Sequence, residues 1–249
     1  MTVMCVISVK DGIVIATDSS LTIHEEDGKR YEEKCKIFAD LNDPNFAFTV
    51  CGSANYYENF EKSYMIGNHM VGNDIRKEFE INREKCESNN NSLKEFMDKM
   101  IKYERTEDKF INKNDTDVVI AGYEDETPVL YTFRINDYKK KYCPKLYPMN
   151  SLPTYTCESD LVKESGKNIE YYTFKGYFGI CFGQFYHIQW LTEELSKKYG
   201  DKIDFTQLDI AKAKELAYSI ILRTIKNKKA LDCEDKCVDY PIYILTIHK

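Results

Sequence analysis

Thr2-Val3-Met4-Cys5-Val6-Ile7-Ser8-Val9-Lys10-Asp11-Gly12-Ile13-Val14-Ile15-Ala16-Thr17-Asp18 is the stretch whose reading decides the fold of this 249-residue chain. Val3 to Val9 and Ile13 to Asp18 are dense in β-branched residues, and the Asp11-Gly12 pair between them favours a tight hairpin. The chain is expected to open with two antiparallel strands.

Working outward, a polar stretch containing Glu25-Glu26-Asp27-Gly28 leads to a third strand-like run around Cys35 to Phe38, and a fourth runs from Asn45 to Val50 and stops at Gly52. From Ser53 the apolar residues Tyr57, Phe60, Tyr64 and Met65 take helical spacing, and Leu93, Phe96, Met97 and Met100 repeat it after Ser92. Asp117 to Ala121 and Val129 to Ile135 read as strands around a Glu124-Asp125-Glu126 turn. Residues 136–167, rich in Lys, Tyr, Pro and Ser without periodicity, read as an insertion that leaves the sheet before Ile169 to Phe174 resumes it. Phe178 to Phe182 reads as a further strand, and a helix is expected from about Phe185 to Tyr199. A second helix is announced by the capping-box spacing of Thr206-Gln207-Leu208-Asp209 and continued by Leu208, Ala211, Leu216, Ile220 and Ile225. Ile242 to Ile247 closes the chain as a strand.

Strands, two helices, strands, two helices and a strand imply an α+β domain spanning 1–249. Two antiparallel sheets would stack face to face with helices on both outer surfaces, although pattern alone leaves other α+β folds open. The 43% hydrophobic content suffices for one core, and a net charge of -6 with 31% charged residues argues against nucleic acid or an anionic membrane as partner. No apolar run is long enough to span a bilayer, so a soluble, cytoplasmic protein is expected. Nine cysteines without tight pairing suit a reducing compartment, and the scattered histidines supply no metal-ligand spacing. No phosphate-binding GxxxxGK loop, HExxH helix or GxSxG elbow is present, and nothing calls for a cofactor.

Chemistry concentrates at the start of the chain. Thr2 follows Met1, and removal of Met1 would leave a free N-terminal Thr. That residue combines a hydroxyl nucleophile with an α-amine whose pKa of about 7.7–8.0 suits a general base. A Lys ammonium beside it would favour the deprotonated hydroxyl and amine, a carboxylate would hold that Lys, and the Gly52 N–H could donate to a developing oxyanion. Asp18 is the obvious carboxylate. Taken singly, each residue also has a plain reading: a cleaved start codon, an Asp starting a turn, solvated lysines on a polar strand, a Gly ending a strand.

Taken together, their order resembles the proteasome β-subunit motif. There a Thr nucleophile opens the first strand, an Asp lies 16 positions on in an Ala-x-Asp-Ser-x-x-Thr context, and a Lys precedes an apolar pair. Here Thr2 and Asp18 are 16 apart within Ala16-Thr17-Asp18-Ser19-Ser20-Leu21-Thr22, and Lys36 precedes Ile37-Phe38. Lys34 is the alternative to Lys36. Phe46-Ala47-Phe48-Thr49-Val50-Cys51-Gly52 is similar to the family's apolar strand ending in Gly.

The resemblance implies an N-terminal-nucleophile hydrolase fold, a four-layer α/β/β/α sandwich, and a threonine peptidase or amidase acting through Thr2, Asp18, Lys36 and Gly52. By the same resemblance, Thr22 holds substrate backbone and Val50 lines the specificity pocket. It also implies a peptide or unfolded-protein substrate and a homo-oligomer, and it allows an ATP-driven unfoldase as partner. A non-catalytic assembly subunit and a small-molecule amidase are the competing functions. The chain departs from the family by placing Phe182 where a Ser supports the catalytic amine, and by lacking a Ser three residues after an acid near Asp232 to Cys237. Cys237-Val238-Asp239-Tyr240-Pro241 is similar to a Ser-Val-Gly-x-Pro stretch in the bacterial ancestral-β-subunit branch, which also begins Met-Thr.

Overall fold

The computed structural model describes residues 2–25, 27–33, 35–40, 43–51, 78–82, 116–135, 146–149, 155–164, 167–183, 197–198, 200, 202–231 and 238–249. The opening hairpin is formed by β1 (Val3–Val9) and β2 (Gly12–Asp18), paired antiparallel from Met4↔Thr17 to Val9↔Gly12. Every residue of both strands is buried. That explains their nearly unbroken apolar sequence, because a strand covered on both faces has no solvent side for polar residues to occupy.

Asp18 is followed by a hairpin that the polar sequence conceals, β3 (Ser20–Glu25) and β4 (Gly28–Glu33). β4 is mostly exposed, so no apolar alternation marks it. β5 (Ile37–Asp40) and β6 (Asp43–Cys51) correspond to the third and fourth expected runs. The two helices expected after Ser53 and Ser92 lie outside the described residues. Between those stretches, β7 (Glu78–Asn82) is a short strand that pattern reading missed.

β8 (Thr116–Glu124) and β9 (Thr127–Ile135) form the expected hairpin, with Asp125 in its turn at φ 53. The segment 136–167, expected to leave the sheet, instead supplies β10 (Leu146–Pro148) and β11 (Tyr155–Glu164). β11 pairs over its whole length with β12 (Lys167–Gly176). Its Glu, Ser, Asp and Lys side chains suit a sheet edge, where charge discourages further pairing, and they disguised the strand. β13 (Gly179–Gly183) and β14 (Ile242–His248) complete the strands among the described residues.

Twelve of the strands divide between two sheets in a way local sequence does not reveal. The first sheet runs β10-β13-β1-β2-β14-β7 and the second β11-β12-β9-β8-β6-β5. The second is antiparallel throughout. The first is mixed, because β7 runs parallel to β14, which corrects the expectation of two antiparallel sheets. Met4, Val6, Ile13, Ile15, Tyr243 and Leu245 of the first sheet share one core with Ile37, Ala47, Val119, Leu130 and Phe174 of the second. The sheets are therefore stacked face to face.

The opposite face of the first sheet packs on helix α1 (Ile210–Leu231). Leu216, Ile220, Ile221 and Ile225 are each at most 1% exposed there, and burying each contributes about 1.5–3 kcal/mol. The helix begins later than the capping-box spacing suggests. Asp209 is its N-cap, with Oδ1 accepting the Lys212 N–H at 2.8 Å and the backbone carbonyl accepting the Ala213 N–H at 3.0 Å. Thr206 sits instead in a separate 3-10 turn capped by Asp204. Of the helix expected over Phe185 to Tyr199, only Lys197 and Lys198 are described, and both are helical. The result is a mixed α+β architecture dominated by sheet.

Candidate functional site

Asp18 ends β2, where the first sheet gives way to the β3–β4 hairpin. Its side chain is fully buried and accepts three hydrogen bonds. Oδ1 takes the Val3 N–H at 2.8 Å, while Oδ2 takes the Ser20 N–H at 3.1 Å and the Lys36 ammonium at 2.9 Å. The Ser20 contact is an Asx turn, the local geometry an Asp two residues before a free N–H readily adopts. All three partners are donors, so the site is built for a carboxylate rather than a carboxyl. Burial nevertheless pushes the Asp18 pKa up, opposed by the Lys36 charge and by the Val3, Lys36 and Ser20 hydrogen bonds.

Lys36 reaches this carboxylate from the other sheet. It lies just before β5 and is 3% exposed. Its neighbours Cys35 and Ile37 both enter the core between the sheets, which fixes the backbone from which the lysine stem projects. Burial lifts the Cys35 thiol to about 11, so Cys35 is a packing residue rather than a nucleophile.

Thr2 is 5% exposed and is held through the peptide that joins it to Val3. The N–H edge of that peptide donates to Asp18. The C=O edge lies against Gly183, where an added Cβ would stand 2.0 Å from the Thr2 oxygen. Gly183 has φ +94, a conformation that disfavours any side chain. One edge of this peptide plane is bonded to β2 and the other is packed close against β13.

Thr2, Asp18 and Lys36 are therefore brought to one place. Thr22 lies on β3 opposite Tyr31, with a shielded hydroxyl that has no hydrogen-bond partner. Val50 lies on β6 opposite Val118. Gly52 and Lys34 lie outside the described residues. Phe182 pairs with Met4 across β13 and β1 and is fully buried in the inter-sheet core, so the position supplies apolar volume and no hydroxyl.

Compared with known proteins, the chain matches no family model and no curated protein.

Three contributors to the site were not anticipated. The Asx turn to Ser20 was legible in Asp18-Ser19-Ser20. Ser19 is also held, its N–H and Oγ donating to the Asp239 carbonyl at 3.2 and 3.4 Å, a contact spanning 220 residues that no local pattern signals. Tyr243 on β14 donates its hydroxyl to Glu33 at 2.8 Å and so ties the end of β4 to the first sheet, three residues before Lys36. Burial and the Glu33 carboxylate raise the Tyr243 pKa, which keeps the phenol protonated as a donor.

Proposed function

We propose that this chain is a proteasome-like N-terminal threonine hydrolase that cleaves peptide or other amide bonds once Met1 is removed. The observation that carries the reading is the buried carboxylate of Asp18, which holds at once the Lys36 ammonium and the peptide N–H that follows Thr2. A shared anchor of this kind orients a nucleophile and its charge partner together, so little reorganisation remains for the reaction.

In the proposed reaction the Thr2 hydroxyl attacks an amide carbonyl carbon and passes its proton, through water, to its own α-amine. The tetrahedral oxyanion is met by the Gly52 N–H. Collapse breaks the C–N bond, the departing nitrogen takes the proton from the α-amine, and an ester on Thr2 remains. Water then hydrolyses the ester, regenerating the hydroxyl. Lys36 favours the anionic form of the attacking oxygen, Asp18 fixes Lys36, Thr22 holds substrate backbone and Val50 lines the pocket.

On the same reading the fold is a four-layer α/β/β/α sandwich. Supporting it, the second sheet's outward side chains Phe38, Phe46, Phe48, Val118, Ile120 and Val129 are buried, as a covering layer requires. The proposal extends to a cytoplasmic homo-oligomer acting on peptides or unfolded chains, with an ATP-driven unfoldase as an allowed partner.

One observation favours a second reading, a non-catalytic assembly subunit. Phe182 fills with apolar volume the position at which the resemblance places a supporting hydroxyl. The test is the intact mass of the purified protein before and after a Thr-directed β-lactone or epoxyketone, beside Thr2→Ala. Loss of Met1 with a Thr2-dependent adduct supports the hydrolase, whereas retained Met1 or no adduct supports the assembly subunit.

A further inference from the structure

Asp18 is held by the Val3 and Ser20 N–H groups and by Lys36, but the turn that carries it is also gripped from another direction. The Asp239 carbonyl accepts both the N–H and the hydroxyl of Ser19, the residue immediately after Asp18. The Asp239 side chain is committed as well. Its Oδ1 accepts the Tyr240 N–H at 2.7 Å and pairs with the Lys229 ammonium at 2.6 Å. Lys229 stands in the last turn of α1, where a positive charge is favoured by the helix dipole, and its Nζ lies 5.0 Å from the Tyr240 ring centroid.

These contacts form one path. The helix that covers the first sheet ends in Lys229, Lys229 holds the Asp239 carboxylate, the Asp239 carbonyl holds Ser19, and Ser19 adjoins the carboxylate that anchors Thr2 and Lys36. We propose that Asp239, fixed by Lys229, is a positioning residue that sets the orientation of the Asp18 carboxylate. This rests on the hydrolase reading for its functional consequence, but the clamp itself is a property of the fold.

An Asp at 239 has two separable duties. Its carbonyl, which any residue offers, makes the grip on Ser19. Its carboxylate bonds the next N–H and the Lys229 ammonium, and so fixes the backbone that aims the carbonyl. Removing the Lys229 charge therefore loosens the aim without removing the acceptor. The Lys229 side chain is 43% exposed and that of Asp239 19%, so the pair is partly screened and the expected effects are modest.

The test uses the full-length protein with Lys229→Met, Lys229→Arg and Asp239→Asn. Two quantities are measured: amide hydrogen exchange at Val3 and Ser19, and the kinetics of Thr2 acylation by a β-lactone, separated into lactone affinity and maximal rate. For Lys229→Met and Asp239→Asn, exchange at Val3 and Ser19 is expected to quicken by about fivefold. The maximal acylation rate should fall by a similar factor at unchanged lactone affinity, and the amides of α1 should keep their protection. Lys229→Arg, which keeps the charge, is expected to restore both. Wild-type exchange at Val3 and Ser19 in Lys229→Met overturns the proposal, and so does equal loosening along all of α1, which would make Lys229 a general stabiliser of the helix. If the wild-type protein forms no Thr2 adduct, the hydrolase reading fails by itself, and the exchange at Val3 and Ser19 still decides the clamp.

Discussion

Asp18, the last residue of β2 in one sheet, and Lys36, just before β5 of the other, meet at 2.9 Å, with side chains 0% and 4% exposed. The pair crosses the interface between the sheets at the end of β2 where Thr2 is anchored. A buried ion pair contributes little net stability, because desolvating both charges offsets their attraction. Its value here is positional.

Removing the ammonium alone should be costly. Lys36→Met leaves the Asp18 carboxylate buried among two backbone N–H groups without a counter-charge, and the loss expected at neutral pH is about 3–5 kcal/mol. The double variant Lys36→Met/Asp18→Asn should recover part of it, because Asn removes the buried charge but keeps one acceptor oxygen for the Val3 and Ser20 N–H groups. Urea denaturation of the three proteins measures this, and a double variant no more stable than Lys36→Met would contradict the assignment.

The pH dependence of Asp18 follows from the direction of its shift. Burial raises the folded pKa above the unfolded value of about 3.9. The folded protein therefore keeps a proton that the unfolded chain has released, and the associated stability is fully present below about pH 3.9 and lost as pH rises through the folded pKa. Asp18→Asn cannot titrate. The stability of wild type relative to Asp18→Asn should decline as pH rises above about 4, while Thr2 acylation in wild type should gain an acid limb above the ordinary carboxylate range. Denaturation and acylation across a pH series check both, and a stability difference that grows with pH would count against a raised Asp18.

Gly183 and Gly200 offer a controlled comparison. Both have positive φ, +94 and +84, but an added Cβ meets the Thr2 carbonyl at 2.0 Å in the first case and nothing within 4 Å in the second. Gly200→Ala should cost about 1 kcal/mol for the backbone conformation alone. Gly183→Ala should cost more and abolish the Thr2 adduct, because β1 and β13 must part to admit the methyl group. Thermal denaturation with intact-mass labelling distinguishes the two, and equal effects would show that Gly183 does not press on Thr2.

Tyr243→Phe removes the hydrogen bond to Glu33, on the strand leading toward Lys36. A stability loss of about 0.5–1.5 kcal/mol is expected. Increased exchange of the β4 amides should accompany it, readable by hydrogen exchange with mass spectrometry. Unchanged β4 exchange would mean that the hairpin is held by other contacts.

Much of this was legible from local pattern, for local reasons. β1 and β2 were readable because β-branched residues and an Asp-Gly turn act over a few residues, and β8, β9, β13 and β14 followed from similar signals. β4 and β11 were not, because strands that are exposed or lie at a sheet edge carry polar side chains that resemble loop. The start of α1 was misplaced because Thr206 and Asp209 fit a capping box, whereas Asp204 and Asp209 each cap a separate turn.

The site divides along the same line. The sequence by itself determined the order of its parts: a Thr at position 2, an Asp 16 residues later, and a Lys preceding an apolar pair. It also determined the Asx turn to Ser20, since that bond spans two residues. Only the tertiary structure decided that Asp18 binds Val3 and Lys36 together, that Gly183 backs the Thr2 carbonyl, and that Asp239 reaches Ser19 across 220 positions. Those contacts depend on which sheet each strand joins and in what register, and burial of apolar faces from distant segments sets both.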